Sequence, residues 1–221
     1  MIGKQDRDGK TFNAYMAVHV GGEGVGVLLL HAWWGLNDFI RQTCDAFAQS
    51  GYLAVAPDYY QGQIATTIEE AKACRGKIDR RTAQKEVTLA LDTLCDNPHL
   101  NAPKVAVVGF SLGVGYALEL ASRRADKVGA LVLFYGTGGG KVDMIQAPIQ
   151  GHFAEDDRWG ANSSKVDRLA QRLELAGNPP KFYTYPVTEH WFMETDRPEY
   201  APEAADLAWK RTFGFLKKTL V

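Results

Sequence analysis

The segment Gly109-Phe110-Ser111-Leu112-Gly113 holds a serine with a glycine two residues to either side. That spacing suits a sharp strand-to-helix turn that lifts the serine hydroxyl clear of a sheet. Glycine at both flanking positions avoids the clash a side chain would make in so tight a turn. The Leu112 N–H would open the helix and point to where a carbonyl oxygen becomes negative, and the helix N-terminus adds partial positive charge there. A hydroxyl is a weak nucleophile without a base, and five histidines are available: His19, His31, His99, His152 and His190. In the chain order nucleophile, acid, base, His190 is the candidate base, because it follows the apolar run FYTYP in a loop. The run IQGHFA ends in Glu155-Asp156-Asp157, between Ser111 and His190, and residue chemistry leaves all three carboxylates open as the group that orients the imidazole. Asp143 and Asp196 follow no clear strand. A second oxyanion donor is expected from the loop closing LLLHAWWG, at the backbone N–H of Trp33. Together these groups would perform acyl transfer.

Such residues need a scaffold that brings distant loops to one rim. Short apolar runs alternate with polar turns and amphipathic segments, the pattern of βαβ units and a mostly parallel sheet with helices on both faces. Strands are predicted at 15–20, 25–31, 53–56, 104–109, 130–135, 149–153 and 182–185. The runs VGVLLL and KVAVVGF are continuous rather than alternating, as in strands buried on both faces. Residues 15–20 follow a turn at Asp8-Gly9 and fit an antiparallel edge strand. Helices are expected after Asn37, Thr66-Thr67, Asp79, Gly113, Asn162 and Pro202, the last with Leu207, Phe213 and Leu216 inward. His19 and His31 fall in predicted strands, His99 in a helix-ending turn and His152 inside a strand, all four read as structural.

The chain has 221 residues, with Lys+Arg 25 against Asp+Glu 26, and reads as one domain over 1–221. A formal net charge of -1 without a basic stripe argues against a nucleic-acid partner. The densest basic stretch, Arg75, Lys77, Arg80 and Arg81, reads as a solvated helix face. Cys44, Cys74 and Cys95 are odd in number and widely spaced, which fits neither a disulfide framework nor a metal site and suggests a reducing compartment. The charged N-terminus lacks the apolar stretch of a secretory signal, and no run is long enough to span a bilayer, so a cytoplasmic location is expected. Neither metal nor organic cofactor is expected. The expected partner is a small molecule, and the assembly a monomer or small homo-oligomer.

With these features the chain resembles the dienelactone hydrolase family, whose members have the α/β-hydrolase fold. The resemblance covers nearly the whole length. It rests on HAWWGL at 31–36, APDYYQG at 56–62, GFSLGVG at 109–115, GHFAEDD at 151–157 and YPVTEHWFMETDRPEY at 185–200. It implies Ser111 as nucleophile, His190 as base and Leu112 and Trp33 as oxyanion amides, and its acid motif falls on Asp157. The founding members use cysteine where this chain has Ser111, as the serine esterases of the family do. They carry a glutamate where Ala32 stands, and an arginine after the base that HWFMET lacks. The resemblance therefore implies an ester or lactone of a small molecule and points away from dienelactone itself.

The expected pocket is aromatic and open, lined by Trp34, Tyr59, Tyr60, Tyr135, Trp159, Trp191 and Phe192 beside Trp33, and suits short-chain or aryl esters. A thioesterase or small peptidase would use the same three groups. A binding protein on the same scaffold would not need them.

Overall fold

The computed structural model describes residues 2–5 and 11–220. Among the described residues eight strands form one sheet: β1 Ile2–Gln5, β2 Thr11–Ala17, β3 Val25–Leu30, β4 Tyr52–Pro57, β5 Val105–Phe110, β6 Val128–Phe134, β7 Ile149–Asp156 and β8 Lys181–Glu189. Their spatial order is β1-β2-β4-β3-β5-β6-β7-β8. The pairs β1/β2 and β2/β4 are antiparallel, and the remaining pairs are parallel. The helices are α1 Asp38–Gln49, α2 Ile68–Lys77, α3 Arg80–Cys95, α4 Leu112–Arg123, α5 Ser163–Leu175 and α6 Pro202–Leu220.

The continuous apolar runs become β3, β4 and β5, in which every residue is buried. Successive side chains point to opposite faces. Val27 and Leu29 join a core with Phe39, Ile40 and Phe47 of α1 and Ala208 and Leu216 of α6. Leu28 and Leu30 join another with Val87 and Leu91 of α3 and Ala117 and Leu118 of α4. A sheet covered on both sides has no solvent face, so alternation disappears from its sequence.

Chain direction explains where a site can form. From β3 the chain moves one way to β4, then crosses back over β3 to reach β5. Right-handed crossovers put α1 on one face and α3 on the other. Loops leaving the carboxyl ends of β3 and β5 therefore diverge, and a crevice opens between them.

Several expectations shift. The strand expected at 15–20 ends at Ala17, leaving Val18 and Val20 exposed. It is antiparallel but not at the edge, because β1, which local patterning did not reveal, pairs outside it. The expected Asp8-Gly9 turn lies outside the described residues. α4 starts at Leu112 rather than beyond Gly113. In α6 the buried residues are Ala205, Ala208, Thr212 and Leu216, whereas Leu207 is exposed: the helix packs through small residues close to the sheet. The caps fall at expected residues. Thr67 forms a capping box with Glu70, and Asn162 accepts from the Lys165 N–H. Cys44 is buried, while Cys74 and Cys95 are half-buried, and all three are free. No helix among the described residues is long and apolar enough to cross a membrane.

Candidate active site

Ser111 follows the last residue of β5 and precedes the first of α4, at φ 48° and ψ -107°. A non-glycine residue at positive φ is strained, and surrounding contacts must hold it. Its N–H donates to the Phe134 carbonyl at 2.9 Å, and its carbonyl accepts from Val114 at 3.1 Å. The glycines permit the turn. A Cβ on Gly109 would stand 2.9 Å from the Gly113 backbone, and one on Gly113 would stand 2.2 Å from the Leu30 carbonyl oxygen. The second glycine thus lets α4 approach the end of β3, not merely its partner across the turn.

Strand register brings the other two groups to the same rim. Phe110 pairs with Phe134, Phe134 with His152, and Asp156 with Glu189. Asp157 and His190 therefore leave neighbouring strands side by side. The Ser111 hydroxyl lies 2.8 Å from His190 Nε2, and His190 Nδ1 lies 2.6 Å from Asp157 Oδ2. With Nδ1–H donating to the carboxylate, Nε2 is free to accept the serine proton. His190 and Asp157 are 2% and 6% exposed, so little water competes for either.

The structure separates the three carboxylates that local chemistry left equal. Glu155 and Asp156 are exposed, accepting from the Val187 N–H and pairing with Arg158 respectively. Only Asp157 turns inward. Its Oδ1 accepts from the N–H groups of Trp159 at 2.8 Å and Gly160 at 2.9 Å. Burial pushes the Asp157 pKa up, but the His190 bond and charge and these two amides outweigh it, and the net shift is downward. Asp196 accepts from Asn37 and Asp143 sits in a short 3-10 turn, whereas the imidazole bonds Ser111 and Asp157.

A cavity of about 550 Å³ opens over Ser111 and His190. Trp33 and Leu112 border it, as do Tyr135, Trp159 and Trp191 from the expected aromatic set. Trp159 packs against Trp33 and Trp191, with centroids 5.4 and 5.2 Å apart, and is 44% exposed at the mouth. Trp34, Tyr59, Tyr60 and Phe192 are not on the wall, and Phe192 is fully buried in the core. Trp34 is buried under the Arg197 guanidinium, 3.8 Å from its ring, and Tyr59 and Tyr60 are buried against the His31 ring. Strand-end position placed them near the rim, but their side chains turn into the core.

The chain is similar to known proteins along nearly its whole length. A model of the "Dienelactone hydrolase family" matches residues 12–220. The chain belongs to that family. Protein usf of Aquifex pyrophilus is 31% identical over 97% of this chain and 96% of its own. The carboxymethylenebutenolidase of Pseudomonas putida is 27% identical over 97% of this chain and 94% of its own. The fold recurs in a dienelactone hydrolase-like promiscuous phosphotriesterase from metagenomic libraries, with TM-score 0.84, 20% identity and coverage of 99% and 97%.

Within the family frame, Ala32 is a buried core residue. His31 is fully buried and stacks on Tyr59, whose hydroxyl donates to the His31 carbonyl. Burial lowers the His31 pKa to about 3, and burial with the Arg211 charge lowers that of His152 to about 3, so both are neutral structural groups. Arg75, Arg80 and Lys165 border the cavity and were not anticipated as site residues. The exposure of Arg75 and Arg80 matches the solvated face read for the basic stretch. That the face meets the mouth depends on how α2 and α3 pack over the sheet. Among the described residues, no group of three or more His, Cys, Asp and Glu side chains could hold a metal ion.

Proposed function

We propose that the chain hydrolyses carboxylic esters or lactones of small molecules, with Ser111 as nucleophile, His190 as general base and acid, and Asp157 as the group that holds the imidazole. The observation that carries this reading is the unbroken hydrogen-bond relay of 2.8 and 2.6 Å from hydroxyl to imidazole to buried carboxylate. Membership of the dienelactone hydrolase family supports it.

Ser111 Oγ attacks the substrate carbonyl as His190 Nε2 takes its proton, forming a tetrahedral oxyanion. The Leu112 N–H begins α4 and so has no helical acceptor, which leaves it free for that oxygen. The Trp33 N–H, from the loop after β3, is the second donor in this reading, supported by the place of both residues on the cavity wall. Collapse breaks the C–O bond, and the imidazolium protonates the leaving oxygen, which in a lactone stays tethered to the acyl group. Water then attacks the acyl-enzyme, its proton passing to His190, and Ser111 departs with that proton.

The family arginine after the base is missing, yet Arg75, Arg80 and Lys165 stand around the mouth. An ester or lactone carrying a negative charge away from its carbonyl fits that rim better than a neutral one. Trp159 offers an aromatic face at the same entrance. Labelling of the purified protein by a fluorophosphonate, lost in Ser111→Ala, tests the nucleophile. Profiling against esters, lactones, thioesters and short peptides tests the bond. No labelling of the folded wild type overturns the reading.

A further inference from the structure

Tyr135 is the first residue after β6 and is held at φ 39°. Its N–H donates to the His152 carbonyl, and its ring lies 5.0 Å from the imidazole of His190. Its hydroxyl donates to Glu194 Oε1 at 3.0 Å. Glu194 lies four residues after His190 and is 1% exposed, and its N–H closes a turn onto the Trp191 carbonyl at 2.8 Å. Trp191 within that turn has φ 69°. A buried carboxyl with a single side-chain partner, under a strained turn, has no part in the acyl-transfer steps above.

The connections form a closed path. Ser111 is fastened to β6 through the Phe134 carbonyl, Tyr135 follows Phe134, Tyr135 is tied to Glu194, and Glu194 closes the turn that begins at Trp191, the residue after His190. The relay bond from Ser111 to His190 closes the loop at its other side. We infer that Glu194 is a positioning residue for His190, acting through Tyr135 as a second tie between the base's loop and the strand pair that carries Ser111. This rests on the reading of Ser111 and His190 given above.

The groups around Glu194 are Tyr135, Asp196, Arg197 and Glu199; those around His190 are Ser111, Asp157 and Tyr135. Burial, followed by the Asp196 charge, pushes the Glu194 carboxyl well above its ordinary range, against the opposing Tyr135 bond and Arg197 charge. The carboxyl therefore acts as a neutral acceptor, and a carboxamide can replace it. A merely space-filling role would make a leucine as good as a glutamine.

The test compares Tyr135→Phe, Glu194→Gln and Glu194→Leu by steady-state ester kinetics across pH and by the rate of fluorophosphonate labelling. Tyr135→Phe removes one oxygen and leaves the ring, which guards against failure to fold. Expected are falls in kcat and labelling rate of about ten-fold in Tyr135→Phe and Glu194→Leu, with KM within about two-fold. Glu194→Gln should recover most of the loss, with the acid limb of the pH profile unmoved, and Tyr135→Phe combined with Glu194→Leu should be no slower than the slower single variant. Wild-type kcat in Tyr135→Phe, a Glu194→Gln variant as slow as Glu194→Leu, or an acid limb displaced in Glu194→Gln overturns the inference. Failure of the wild type itself to be labelled overturns the catalytic reading instead.

Discussion

Replacing Asp157 by asparagine keeps the shape of the side chain and changes one proton. The carboxamide oxygen can still accept from the Trp159 and Gly160 amides, which now meet Oδ1 at 2.8 and 2.9 Å. The NH₂ group is then turned toward His190 Nδ1, where Oδ2 stands at 2.6 Å. Two donors cannot share that contact, so the imidazole must put its proton on Nε2. That nitrogen lies 2.8 Å from the Ser111 hydroxyl and can no longer take its proton. Loss of the working tautomer at such a triad costs about 10³- to 10⁴-fold in kcat, or ~4–5.5 kcal/mol of barrier. Hydrolysis of an aryl acetate by the purified variant, with circular dichroism to verify folding, measures it. Asp156→Asn and Glu155→Gln serve as controls and should stay within about three-fold of wild type, since exposed carboxylates contribute little. A folded Asp157→Asn variant within ten-fold of wild type, or a larger loss in either control, would refute the reasoning. Stability should follow the same carboxylate. Its pKa is lowered on folding, so it stabilises the fold above the ordinary carboxylate range, and this is lost as pH falls through the depressed value. The Tm gap between wild type and Asp157→Asn should therefore narrow toward pH 3.

Four further outcomes are expected. Gly113→Ala, whose Cβ would meet the Leu30 carbonyl oxygen at 2.2 Å, should cost about 3 kcal/mol or more in urea unfolding, and a loss under about 1 kcal/mol would contradict the close approach of α4 to β3. Ser111→Gly should be more stable than Ser111→Ala by about 1 kcal/mol, reversing the usual order, because only glycine relieves φ 48°. Arg75→Glu combined with Arg80→Glu should raise KM for carboxylate-bearing esters and leave neutral ones nearly unchanged, while equal effects on both would remove the charge argument. Glu194 holds its proton in the fold but releases it on unfolding above the ordinary glutamate range, so its contribution falls as pH rises. The Tm of Glu194→Gln relative to wild type should therefore climb as pH rises above the ordinary glutamate range, and a flat difference would mean that the fold does not raise the carboxyl's pKa.

Much of the site could be read directly from the chain, because the serine elbow is a local device. Two glycines, a preceding buried strand and a following helix specify Ser111, and all of these lie within neighbouring residues. His190 was legible too, from its position after the final apolar run. The internal strands were visible because burial on both faces demands continuous apolar residues. Choosing Asp157 from three adjacent carboxylates needed either the family motif or the register of β7 against β8, since one residue's shift sends a side chain to the other face. The fate of Trp34, Tyr59 and Tyr60 depended on side-chain direction. The basic rim and the Tyr135–Glu194 tie join residues far apart in the chain, whose proximity is set by how α2 and α3 pack and by how the last loop closes. Local spacing determines which groups can react, whereas contacts between remote segments decide which of them meet.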